Sequence, residues 1–196
     1  MGCSHVPNKA SAVSGPCYVP GMPTLVTFDG QAMISALEAR RSSLDLDWNA
    51  LALELWHQSR DLNSELSDHR LCPGALARTA KRGTMSCQYA LIILRWVGRA
   101  PEDFLTGPVV DVGDGHLPDA GPDHRLRWDL SQLHAALYAH RQERNRTSVS
   151  LANELDCTPN RLTNLRTARL ADMGLTMRIT QQVKQPAATF IHAQRW

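Results

Sequence analysis

The chain has no run of about 20 apolar residues, so a membrane-spanning helix is not expected. Residues 1–27 also lack the apolar stretch of a secretory signal. Met1-Gly2-Cys3 starts like a lipidation site, but Val6 stands where Ser or Thr is required. No C-x-x-C pair occurs, and the five cysteines (Cys3, Cys17, Cys72, Cys87 and Cys157) are odd in number. Neither a zinc site nor a disulfide framework is therefore supported, and a reducing cytoplasm is the expected compartment. The eight histidines include no H-x-x-x-H pair, and His134 and His140 lie six apart, on different faces of a helix. With no phosphate loop and no paired nucleophile and base, neither an enzyme nor a bound cofactor is expected. Net charge is only +2, too weak to indicate nucleic acid by itself, so the placement of charge has to decide.

What is present is a repeat. Residues 36–41 read ALEARR and residues 136–141 read ALYAHR. At the same offset Leu51, Ala52, Glu54 and Leu55 return as Leu151, Ala152, Glu154 and Leu155. Further on the offset drops by fourteen: Pro73 meets Pro159, Leu76 meets Leu162, Ile93 meets Ile179, Val97 meets Val183 and Phe104 meets Phe190. The period is too long for a solenoid, and the reading is two small helical domains in tandem. The boundaries are a flexible leader at 1–27, a first domain at 28–105 with an insertion at 56–70, a linker at 106–125 and a second domain at 126–196. Each unit is small but within the range that closes its own core.

Periodicity supplies four to five helices per unit. Met33, Leu37 and Arg41 mark the first, and Asp47 caps the second before Trp48. The polar insertion is expected to lengthen that helix and end as a loop. Pro73 starts a third helix that stops at Gly83. Ser86 opens a fourth, apolar along Tyr89, Ile92, Ile93, Trp96 and Val97 and ended by Gly98. Residues 106–125, rich in Gly, Pro and Asp, read as a solvated tether, and Asp111-x-x-Asp114-Gly115 lacks the ligand spacing of a calcium loop. In the second unit Leu130, Leu133 and Leu137 mark helix one and Ser148 caps helix two. Thr158-Pro159 opens helix three, and Met173, Met177, Ile179 and Val183 mark helix four. No segment shows the two-residue alternation of a strand, so the expected fold is all-α.

The repeating core is Leu-Ala-x-Glu-Leu, a turn, then a Pro-started helix with a buried Leu. A helix-turn-helix requires this pattern: small Ala52 and Ala152 let the next helix approach, and Leu76 and Leu162 fix its crossing. On these residues each unit resembles the Cro/C1-type, XRE-like helix-turn-helix regulators, over roughly residues 28–105 and 126–192. The resemblance implies two lambda-repressor-like domains that bind double-stranded DNA, with helix three of each unit in the major groove.

It further implies reader positions at Thr158, Asn160, Arg161, Thr163 and Asn164, followed by Arg166 and Arg169. Asn suits adenine, Arg suits guanine, and Thr, Arg and a helix N-terminus can hold phosphate. The run Asn160–Arg169 has three arginines, two asparagines and no acid. The matching positions of the first unit are Cys72, Gly74, Ala75, Ala77 and Arg78, then Lys81 and Arg82. Small residues cannot make bidentate base contacts, although Arg78, Lys81 and Arg82 can grip phosphate and Ala75 can touch a thymine methyl. This unit either binds DNA with little sequence choice or serves as a homodimer or protein-partner module. Joined units would act as a built-in dimer on a flexible linker. A protein-interaction or antitoxin-like module that keeps the fold is the alternative. Trp48, Trp96 and Trp128 are expected as core or cap anchors, and Met173 and Met177 as core filler.

Overall fold

The computed structural model describes residues 25–66, 71–82 and 85–195, the side chains of Ala77, Ala80 and Lys81 excepted. The described chain is mostly helical. The first repeat runs β1 (Thr27–Phe28), α1 (Gly30–Ser43), α2 (Trp48–His57), α3 (Arg60–Leu66), α4 (Pro73–Arg82), α5 (Cys87–Val97), a 3₁₀ turn (Pro101–Phe104) and β2 (Leu105–Thr106). The second runs β3 (Arg125–Trp128), α6 (Leu130–Glu143), α7 (Ser148–Glu154), α8 (Pro159–Asn164), α9 (Met173–Val183), a 3₁₀ turn (Ala187–Phe190) and β4 (Ile191–Gln194). No helix among the described residues is long and apolar enough to cross a membrane.

The repeat is reproduced down to its caps. Asp29 accepts a hydrogen bond from Ala32 N at 2.8 Å and Asp129 accepts one from Gln132 N at 2.8 Å, each starting its helix. The backbone N–H of each cap donates to a phenylalanine carbonyl that closes the unit, Asp29 to Phe104 at 2.7 Å and Asp129 to Phe190 at 2.8 Å. Asp45 and Asn145 take the left-handed conformation after α1 and α6, at φ 52° and 50°, which short polar side chains tolerate. Asp47 and Thr147 then cap α2 and α7. Ala52, Ala152, Leu76 and Leu162 are all buried, as the pattern predicts. Trp96, Trp128, Met173 and Met177 are buried too, whereas Trp48 is half-buried against the core beneath the Arg41 guanidinium.

Several expectations need correction. The fold is not all-α: β1 pairs antiparallel with β2, and β3 with β4. These strands have two or four residues, too short to show a period, although Arg125-Leu126-Arg127-Trp128 does alternate half-buried and buried. The insertion does not lengthen α2, because the chain turns at Gln58-Ser59 and starts the separate helix α3. Thr147, not Ser148, caps α7, accepting from Ser150 N at 3.1 Å. Helix α8 ends at Asn164 and winds down through i→i−3 bonds from Leu165, Arg166 and Thr167, so Arg166 and Arg169 lie beyond it. Residues 1–24 of the leader, residues 67–70 of the insertion and the stop at Gly83 lie outside the described residues.

Residues 107–124 form no helix or strand, yet they are not a free tether. Val110 N donates to Gln181 Oε1 at 2.7 Å. The Arg95 guanidinium donates to the carbonyls of Gln58, Ala120, Gly121 and His124 and to Ser59 Oγ. Arg95 and Gln181 occupy matching positions, 86 residues apart, on α5 and α9. The Pro122 carbonyl accepts from Asp61 N and Leu62 N at 3.0 and 3.3 Å, satisfying the start of α3. The two segments that break the repeat, insertion and linker, are thus packed on each other.

The repeats meet across a pseudo-two-fold axis. Cys87 N donates to Ala171 O at 2.8 Å and Met173 N to Met85 O at 3.1 Å, an exchange of identical bonds around Ser86 and Asp172, the N-caps of α5 and α9. β3 packs against α5 as β1 packs against α9. One continuous buried cluster includes Met33, Leu51 and Leu91 of the first repeat and Leu133, Leu151 and Met177 of the second.

Candidate nucleic-acid interface

Helix α8 is held by two leucines. Leu162 and Leu165 are 6% and 3% exposed and face the core. Burial of each stabilises the seat by about 1.5–3 kcal/mol. Between α7 and α8 the chain makes a tight turn. Cys157 N donates to Ala152 O at 2.9 Å, and Asp156 takes a left-handed φ of 50°. Thr158 then resumes extended backbone and Pro159 fills the first helical position, where its missing N–H costs nothing.

The opposite face is polar and open. Thr158, Asn160, Arg161, Thr163, Asn164, Arg166 and Arg169 are all exposed. The Thr158 side chain makes no capping bond, and Thr163 Oγ1 donates to Pro159 O at 3.2 Å. None of Arg161, Arg166 and Arg169 forms an ion pair among the described residues, and no Asp or Glu occurs from Thr158 to Ala171. The nearest acids on α7 and its turn have basic partners: Glu154 is paired with Arg146, and Asp156 lies 3.8 Å from Arg178. All seven predicted residues of the second unit are thus exposed on α8 or just beyond it; Arg161 and Asn164 border a groove that also holds Asp172, and Thr163 and Arg166 face the other side of the helix.

A cleft of about 220 Å³ opens beside this surface, between α6, α7 and α8, and brings in residues the sequence pattern did not single out. Arg141 donates from Nη1 to Ser148 Oγ at 2.5 Å and stacks over Tyr138 at 4.3 Å. His134 stacks on Tyr138, and Thr163 and Arg166 line the α8 side. Burial, then the charges of Arg166 and Arg141, hold the His134 imidazole below its ordinary pKa. Two guanidiniums, the Ser148 and Tyr138 hydroxyls and an imidazole around one opening are donors suited to a phosphate. The available signal was the repeated helix-one motif itself: Arg141 is common to both copies, but it reads there as one more helical position.

The first unit offers less. Arg78 and Arg82 are exposed on α4, the side chain of Lys81 is not described, and Cys72 and Gly74 are exposed small residues. A Cβ at Gly74 would sit 3.6 Å from Arg78 Nη1 and 3.8 Å from Cys72 Sγ, ordinary contacts, so glycine is not required there. Cys87 is buried and Cys157 half-buried, and burial raises the pKa of both thiols. No group of three or more His, Cys, Asp or Glu side chains converges among the described residues. A scan against protein-family models and searches of curated proteins and solved structures find no match for the chain.

Proposed function

We propose that the chain is a sequence-specific regulator that binds double-stranded DNA, built from two helix-turn-helix units. In this reading α7, its turn and α8 form the motif of the second unit, and α8 enters the major groove. The observation that carries it is the exposed face of α8: Asn160, Arg161 and Asn164 stand outward with no acidic neighbour on the helix, over a leucine-anchored seat. Asn and Arg are the side chains that pair bidentately with adenine and guanine. Arg166, Arg169 and Arg141 flank them and would neutralise phosphates, fixing register while the asparagines and Arg161 read bases.

Phosphate neutralisation has a direct readout. Binding to duplex DNA should weaken steeply with salt, with a slope of about −0.9 per phosphate contacted. Replacing Arg166 and Arg169 together by Gln should reduce that slope by about 2 and weaken all sequences alike. Fluorescence anisotropy over a salt series checks this. Salt-independent binding, or an unchanged slope in the double variant, would count against these contacts.

A further inference from the structure

The role of the first unit follows from the axis between the repeats. The exchange of bonds at Ser86 and Asp172 and the reciprocal packing of β1 on α9 and β3 on α5 are those of a two-fold interface, in which each side gives and receives the same contact. A two-fold rotation leaves position along its axis unchanged. Helix α8 lies beside that axis, because Arg161 and Asn164 line a groove whose other wall includes Met85, Ser86 and Asp172. The same rotation carries α8 onto α4, at the same level on the other side. Arg78 therefore stands where α8 has Asn164, and Arg82 is exposed one turn further along α4. Glu102 Oε1 further accepts from Ala187 N at 2.6 Å, and the Arg95 and Gln181 contacts fix the connecting segment.

We infer that one copy of the chain occupies one asymmetric DNA site. This rests on the reading of α8 as a base-reading helix. One half of the site is read by α8, and the other, at a fixed spacing across the axis, is held at its phosphates by α4 through Arg78 and Arg82. Helix α4 has Gly74 and Ala75 where α8 has Asn160 and Arg161, so the second half carries little sequence information. Because the connection is docked, the spacing is not adjustable, and a two-fold arrangement of readers demands half-sites in fixed helical phase.

The test uses the full chain and a graft, Gly74→Asn/Ala75→Arg/Arg78→Asn, which places the α8 readers on α4 at positions where Gly74 leaves room. Selection from random duplexes is combined with native mass spectrometry of the complexes. The expected wild-type result is one chain per duplex on a single unrepeated motif that needs unspecified DNA on one side. Trimming that side should weaken binding. Arg78→Gln/Arg82→Gln should weaken binding on the long duplex and not on the trimmed one. The graft should select an inverted repeat of the same motif, still with one chain bound. Two wild-type chains on a palindrome, or an α8-dependent motif indifferent to trimming and to Arg78 and Arg82, would overturn this inference alone. Absence of DNA binding by the folded chain would overturn it together with the reading of α8.

Discussion

His134 sits where burial, then nearby positive charge, sets its state. Burial and the guanidiniums of Arg166 and Arg141 keep the imidazole neutral at a pH where an exposed one would begin to protonate. A phosphate in the cleft between α6 and α8 reverses the sign of the local field and favours the charged form. Binding then takes up a proton, so affinity should rise as pH falls from about 8 to about 6. His134→Gln should flatten this dependence while leaving sequence preference intact, because Asn160, Arg161 and Asn164, the proposed base readers, do not line the cleft. Binding titrations across that range in both proteins check it, and parallel pH profiles would place His134 outside the interface. The exposed polar positions of α8 were legible as residues, since Asn160, Arg161 and Asn164 follow Pro159 at the start of the helix. The cleft was not legible, because His134, Tyr138 and Arg141 come from α6, two helices before α8, and only folding brings them to Ser148, Thr163 and Arg166.

Among the elements, the short strand pairs set the closure of each unit. Gly107 follows β2 with φ +89°, and a Cβ there would lie 2.9 Å from the Leu25 carbonyl oxygen. Both the conformation and the space oppose a side chain, so Gly107→Ala should lower stability by about 1–3 kcal/mol. Urea unfolding reads this directly, and an unchanged midpoint would mean that β1 and β2 contribute nothing to the fold. The helices were legible because their stripes and caps are local: Asp47, Ser86 and Gly98 bound α2 and α5 as the spacing predicts. The strands were not, since two residues carry no period. The short α8 was misread as longer for a related reason. The sequence after Asn164 keeps helix-compatible residues, while the buried Leu165 and the tightening i→i−3 bonds end the helix early.

At the scale of the molecule, the repeat was visible in the sequence and its geometry was not. The two offsets, 100 and 86, pair residues that occupy matching caps, cores and closures. Nothing in the linker's composition shows that it docks, because its contacts run from backbone carbonyls to Arg95, a side chain that reads locally as one more basic residue at the end of α5. With the connection docked and the units joined about an axis, the proposed reading by α8 and the proposed grip by α4 would belong to one rigid body. Selection of binders from a randomised duplex pool, by the full chain and by Asn160→Ala/Asn164→Ala, separates base reading by α8 from bulk binding. The full chain should enrich a motif that is lost in the double variant, with salt-sensitive bulk binding retained. No enriched motif, or one that survives the loss of both asparagines, would contradict base reading by α8.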